Sequence, residues 1–508
     1  VRRTVVVIGG GATGVSALLH IAPLPQVARV DVVDPRPPGL GPAFGDPDPA
    51  LLCNTSLDVT SLRPDGPSDL LTYLGVRGWP VANGTFVPRF LVGQYCRERY
   101  LWARDRAAER GATVAHVRDR AEAVRSTGGG YRVELASGAS LVASDVLVCA
   151  GLSTPRPPDL VRPHLGHEAL SESPYPVARL RGLPADARVL VLGTGLSAID
   201  AALVLCSGGR RVTMASPSGR LPAVRTRLTR PERSRLDLSC LGTPGVAPTD
   251  RDPAVLRSLV SALAKVAPGL PLRHQVAAGG DPVARLREET ELAERGLTAW
   301  QDLVSEVIDQ VNEHTVDWPP HERSALLARY REAVFRYVSA IPLANARALV
   351  GHCDDGLLSV ADGSPTRLDR AGDRWRVRWR SGAEDFDHVV CATGLREPRL
   401  RVDPPDTLRL ESGGAEPTDE ERPLVTERLR VRLAADRPEE RIWLLGSTSR
   451  PRTAIPNYLR EAAAHARAVA DQWAATPPPL TQEEPDDRSR QPRLVRTGPL
   501  VGVPGGGG

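Results

Sequence analysis

Residues 4–34 read TVVVIGGGATGVSALLHIAPLPQVARVDVVD, and no other stretch narrows the possible folds as far. Residues 4–8 are a β-branched run with the character of a strand buried on both faces. Gly9, Gly11 and Gly14 follow with GxGxxG spacing, a helical pattern starts at Val15, and a second apolar run, 30–33, ends in Asp34. The three glycines answer three needs: a tight turn, close approach of backbone to a pyrophosphate, and close packing of helix on strand. The helix N-terminus then faces the phosphates, and Asp34 stands where it accepts from a ribose hydroxyl. The glycine spacing alone is weak. Strand, glycines, helix, second strand and terminal acid in register favour a dinucleotide site over an ordinary glycine-rich turn.

The arrangement occurs twice. Residues 131–151 (YRVELASGASLVASDVLVCAG) and 375–394 (WRVRWRSGAEDFDHVVCATG) share an aromatic start, a Ser-Gly hairpin turn and a buried strand ending in glycine, here Gly151 and Gly394. A second fingerprint, RVLVLGTGLSA at 188–198, supplies Gly193 and Gly195, with Ser197-Ala198 where a third small residue is needed. Its second strand ends at Ser216 and not at an acid. A carboxylate there would repel a 2′-phosphate, whereas Ser216 with Arg220, and with Arg225, suits one. That pattern favours NADPH over NADH, the alternative being surface arginines in an arginine-rich chain.

The expected fold is therefore α/β, with two Rossmann-like dinucleotide-binding domains, each closed by a β-meander. The first comprises 1–180 and 395–475 and the second 185–394, with a helical insertion over about 225–350. Inside the insertion, Trp300, Leu303, Val304, Val307, Ile308 and Val311 fall at helical spacing, and 322–338 reads as a further helix. Residues 88–109 read as an amphipathic helix, 441–447 as a buried strand entering a turn at Gly446, and 457–473 as an alanine-rich helix. The Pro/Gly-rich tail 476–508 is expected to be disordered. After Asp34 a Pro/Gly-rich loop leads to Asn54, Thr55 and Ser56, which either line a flavin or substrate site or stitch a surface loop.

Composition removes several classes. Lys+Arg number 65 against 61 Asp+Glu, a net charge of +4 that gives no reason to expect nucleic acid. Lys265 is the single lysine, so Schiff-base chemistry would rest on it alone. The seven cysteines are scattered, odd in number and never in a CxxC pair, which points to a reducing cytoplasm without disulfides or a zinc site. No run approaches the roughly 18 apolar residues of a membrane span. The sequence is compatible with a homo-oligomer.

Two fingerprints, a linking segment VCAGLSTPRPP and a late CATG strand resemble the two-dinucleotide-binding-domain flavoproteins. Within them the chain is similar to single-component, NADPH-dependent flavin monooxygenases, in the branch of bacterial amino-acid N-hydroxylases, nitrosuccinate-forming aspartate hydroxylases and a urate hydroxylase. Residues 39–62, 189–200, 329–350 and 446–466 carry the likeness. It departs from neighbouring classes: 164–176 lacks the phenylalanine and histidine of the Baeyer–Villiger signature, and Cys53 has no cysteine partner for disulfide reduction. His164 and His167 read as solvated loop residues.

The resemblance implies FAD on the first domain, with Gly9, Gly11, Gly14, Asp34, Asn54 and Gly446 about it. It implies NADPH on the second, at Gly193, Gly195, Ser197, Ser216, Arg220, Arg225 and Gly394. It further implies O2 as co-substrate and hydroxylation of a small amine or amino acid through a flavin hydroperoxide. Asn54 and Arg336 are the implied catalytic-side residues, Arg336 as a guanidinium clamp on a substrate carboxylate. C-hydroxylation of a heteroaromatic substrate, or flavin reduction without hydroxylation, are the alternatives.

Overall fold

The two fingerprints begin in the central strands of two parallel sheets built to the same plan. The structure, a computed structural model, describes residues 2–475 apart from 153, 230–233, 271–274, 276–279, 414–416, 419–420 and 457. The tail expected to be disordered lies outside the described residues.

In the first sheet the order is Ile442–Leu444, Asp145–Val148, Arg3–Ile8, Val27–Val33, Thr113–Val117, all parallel. In the second it is Leu170–Ser171, His388–Cys391, Arg188–Leu192, Arg211–Ala215, Leu358–Val360, again all parallel. Each fingerprint strand is covered on both faces. Val5 and Val7 point into a core shared with the helices Ala12–Ile21, Arg89–Glu109 and Leu459–Ala475, while Val6 and Ile8 pack against the first meander. Val189 and Val191 face the helix Leu196–Cys206, while Leu190 and Leu192 meet Trp375 and Phe386 of the second meander. The period of two along a strand thus divides each run between two cores.

The second meander is Arg367–Ala371, Arg374–Trp379 and Gly382–Phe386. The first has Ala121–Ser126, Tyr131–Leu135 and Ser140–Ala143, and the returning chain adds Arg399–Asp403 and Thr407–Glu411 at its edge. The crossing back after Gly394 therefore reaches the meander before the parallel sheet.

Between Ala215 and Leu358 runs the helical insertion. Its apolar stripe begins in a 3-10 turn, Ala299–Asp302, and continues in the helix Leu303–Thr315. The stripe serves two cores. Leu303 joins Leu236, Val255, Trp318 and Leu326 inside the insertion, and Val304 and Ile308, with Leu228 of the insertion, meet Val59, Ala454 and Ile455 of the first domain. The single helix expected over 322–338 is broken. Pro320–Arg329 is α-helical, a turn follows at Tyr330, and Val334–Val338 is a π-helical stretch. β-Branched and aromatic side chains at Val334, Phe335, Tyr337 and Val338 weaken α-helical propensity there, and tertiary partners take over.

Candidate functional site

Each fingerprint turn is fixed by the same set of close approaches. Gly9 has φ +102° and its N–H donates to Val33 O at 2.9 Å; a Cβ on it would lie 2.7 Å from Cys149 O. Gly193 has φ +125°, donates to Ala215 O at 2.7 Å, and a Cβ would lie 2.4 Å from Ala392 O. At the third position a Cβ on Gly14 would meet Gly9 O at 2.0 Å, whereas the second turn accommodates the buried Ala198. The middle glycines, Gly11 and Gly195, are helix N-caps without a side-chain cap. The helix N–H groups behind them are thus left for a ligand, the arrangement a diphosphate requires.

Around the first turn, Asp34 accepts from Gly10 N and from Arg36 N, each at 2.8 Å. Each carboxylate oxygen keeps acceptor capacity for a ribose hydroxyl. Gly446 has φ +60°, and a Cβ on it would come within 2.6 Å of Thr13 Oγ1, so the strand Ile442–Leu444 delivers its turn onto the start of the helix Ala12–Ile21. These residues fit a dinucleotide.

The second turn opens into a cleft of about 1680 Å³ whose walls include Gly193, Gly195, Ser197, Ser216, Arg220 and Gly394. Ser216 Oγ lies 2.9 Å from Thr194 Oγ1 and accepts from Gly219 N at 3.1 Å, which holds the hydroxyl at the strand end. Arg220 projects into the cleft and is ion-paired with the exposed Glu332. Arg225 does not join them. It is fully buried, donates to Tyr337 O, and leaves Nε and Nη1 without partners among the described residues. Burial pushes its pKa down from the ordinary value against the pull of Tyr458. A group with no exposure cannot take a soluble nucleotide's phosphate, so Arg225 is removed from the phosphate site.

Arg336 lies in this same cleft. Its guanidinium is ion-paired with the buried Glu289, which also accepts from Arg285 Nε at 2.9 Å, and Arg336 Nη1 donates to Leu221 O at 3.3 Å. Its charge is met by Glu289, and it lines the same cleft as the second fingerprint turn.

Asn54 stands elsewhere, on a half-buried segment at the seam between first domain and insertion. The adjacent Ser56 is buried and exchanges hydrogen bonds with Leu228, donating to its carbonyl at 2.8 Å and accepting from its N–H at 3.1 Å. The segment is thus no surface loop. The structure brings Gly9, Gly11, Gly14, Asp34 and Gly446 together at one turn and Gly193, Gly195, Ser197, Ser216, Arg220, Gly394 and Arg336 at the other. Cys53 is buried and its thiol is pushed up to about 12 by desolvation, so it is no thiolate nucleophile. His164 and His167 are less solvated than expected, both rings packing edge-on to Trp375 at 5.1 Å.

One cluster escaped the sequence reading. Arg89, at the start of the helix Arg89–Glu109, reaches Asp200 Oδ2 at 2.7 Å on the second fingerprint helix and Tyr175 Oη at 3.2 Å. Tyr175 in turn hydrogen-bonds Asp200. Asp200 is buried and burial raises its pKa. An acid inside an otherwise apolar helix, LSAIDAALVLC, was the available signal.

Residues 6–153 match a family model described as FAD-NAD(P)-binding. No curated protein matches by sequence. Among solved structures the chain is similar to the ornithine N-hydroxylase of Kutzneria sp. 744, at 16% identity, TM-score 0.58, over 93% of this chain and 99% of that one. It is similar to the ornithine hydroxylase of Pseudomonas aeruginosa at 14% identity and TM-score 0.54, covering 93% and 98% of the two chains. The L-lysine 6-monooxygenase of Pseudomonas syringae matches at 16% identity and TM-score 0.53, over 93% and 99%. The chain thus has the α/β fold of these monooxygenases over nearly its whole described length. No helix among the described residues is long and apolar enough to cross a membrane.

Proposed function

We propose that the protein is an FAD- and NADPH-dependent monooxygenase that N-hydroxylates a small amine or amino acid. The observation that carries this reading is the doubled turn: two uncapped helix N-termini, one completed by Asp34 and the other by Ser216 with Arg220. The first suits the ribose of FAD; the second, with no acid and a guanidinium, suits the 2′-phosphate of NADPH. Bound FAD supplies the redox chemistry, accepting reducing equivalents from NADPH and activating O2. The protein's own part is to hold the two dinucleotides on separate sheets and to keep water from the space between them. Asp34 and Ser216 orient the riboses, and Asn54 lies at the seam where the insertion closes over the first domain. The 2′-phosphate takes Arg220 from Glu332 as it binds.

Support for an amine substrate comes from the fold shared with structures named as ornithine and lysine hydroxylases. Oxygen uptake by the FAD-loaded protein with NADPH, followed with ornithine, lysine, aspartate and small diamines, tests the reading. The expected result is a hydroxylamine formed in step with oxygen consumed for one of them. Oxygen reduced only to hydrogen peroxide with every amine, or product only from a heteroaromatic compound, would replace it.

A further inference from the structure

Phe335 lies against Gly195 in the second fingerprint turn. Gly195 holds in the second turn the place that Gly11 holds in the first, the position whose missing side chain lets a pyrophosphate reach the helix N-terminus. A Cβ on Gly11 would find nothing nearer than Gly41 Cα at 4.0 Å, so that approach is open. A Cβ on Gly195 would lie 3.3 Å from Phe335 Cε2, so there the approach is covered by an aromatic ring. The turns match in their glycine backbone bonds and in the carbonyls that face Gly9 and Gly193. The difference comes from the insertion, which the first domain lacks.

Phe335 belongs to the π-helical stretch Val334–Val338, of which no residue is fully buried. Its ring can therefore leave without emptying a core. The backbone on either side is tied, Val334 N donating to Tyr330 O at 3.0 Å and Arg336 O accepting from Ala223 N at 2.9 Å, and the Tyr337 side chain is held by its Oη donating to Gln275 O at 3.1 Å. Motion here is a rotation of one side chain on a held turn, with the cleft beside it open to receive the ring. Wide π turns of this kind recur at functional sites.

We propose that Phe335 is an aromatic plug of the NADPH site, its ring covering the uncapped start of the helix Leu196–Cys206 in the free protein and swinging aside when the nucleotide's diphosphate binds. The inference rests on the reading of the second turn as the NADPH site. The plug keeps the apparent affinity below the intrinsic one by the fraction of time the ring is open.

The test is calorimetric titration of NADP+ into FAD-loaded wild type, Phe335→Ala and Phe335→Leu. For a ring that covers the site most of the time, Kd falls about three- to tenfold in Phe335→Ala. A smaller fall is expected in Phe335→Leu, and stopped-flow binding is faster in both. A Kd that is unchanged or higher in Phe335→Ala overturns the plug, the higher value marking a ring that stacks on the bound nucleotide. Should Phe335→Ala not fold, the same criterion applies to Phe335→Leu. Wild type that binds no NADP+ refutes the cofactor reading and the plug with it, whereas binding by wild type with no gain in either variant refutes the plug alone.

Discussion

Gly11 and Gly14 stand three residues apart, and the structure gives them separable duties. A Cβ at Gly14 would run into the carbonyl of Gly9 at 2.0 Å, and backbone cannot give way as a flexible side chain can. Gly14→Ala is expected to cost about 1–3 kcal/mol through overpacking, seen as a lowered Tm whether or not flavin is present. Gly11 has open space before it, so Gly11→Val should fold and yet purify colourless, its side chain standing where the pyrophosphate lies. A yellow Gly11→Val protein with full flavin content would contradict the assignment. Across the other cleft, Arg220 and Glu332 make opposite forecasts. Losing a charge-assisted phosphate contact in Arg220→Ala should cost about 1.5–3 kcal/mol, roughly ten- to a hundredfold in preference for NADPH over NADH. Glu332→Gln removes the competing carboxylate and should tighten NADPH without touching NADH. Stopped-flow flavin reduction by both nucleotides checks the pair, and equal efficiencies in wild type would refute the 2′-phosphate site.

At the scale of elements, the helix Arg89–Glu109 of the first domain is fastened to the helix Leu196–Cys206 of the second through Arg89, Asp200 and Tyr175. Removing the cation alone leaves a buried carboxylate without its counter-charge, which typically costs about 3–5 kcal/mol. The pH dependence has a definite sign. Asp200 already has a folded-state pKa above its unfolded value, so the native state holds the proton longer and stability falls as pH rises between the two. Arg89→Met pushes the folded value further up and widens that window. The Tm gap between wild type and Arg89→Met should therefore grow from acidic to neutral pH; a constant gap would show that Arg89 contributes packing only. The same elements show what could be read beforehand. The strands 4–8 and 188–192 were legible because local signals agree there: β-branched runs, glycines at fixed offsets and helical periodicity. Arg225 was misread because an arginine's identity carries nothing about its depth, and its burial depends on Tyr337 and Tyr458, far away in sequence. The strands 399–403 and 407–411 were missed because a meander's edge partner is set by a contact back to residues 123–125, which no local period records. The π turn at 334–338 was hidden within a good helical pattern, since tertiary hydrogen bonds override propensity there.

For the molecule as a whole, the insertion couples the two sheets, because it grows from the second domain and closes on the first. Beside the apolar cluster of Val304 and Ile308, its attachment includes buried polar contacts. Asn312 Oδ1 accepts from Ile455 N at 2.8 Å and its Nδ2 donates to Ile455 O at 3.2 Å, so one amide satisfies both backbone groups of a residue beyond the first sheet's last strand. Arg323 binds the carbonyls of Thr315 at 2.7 Å and Trp318 at 3.1 Å and also reaches Pro451 O, and burial pushes its pKa down to about 10. The chain it grips, 449–456, follows directly from Gly446 and its approach to Thr13 at the first fingerprint turn. Asn312→Leu keeps the number and branching of side-chain heavy atoms and removes both bonds, leaving an amide and a carbonyl of Ile455 buried without partners, a loss of about 1–3 kcal/mol for each group. Domains this large need not unfold in one step, so the expected effect is local: the insertion loosens from the first domain before either core melts. Hydrogen exchange should rise at 449–456 and at 303–315 while the strands 3–8 and 188–192 keep their protection. FAD should dissociate faster, since the segment that carries Gly446 is no longer held from above. Unchanged exchange at 449–456 in a folded Asn312→Leu protein would mean that the apolar pairing of Val304 and Ile308 with Val59 and Ile455 holds the seam by itself.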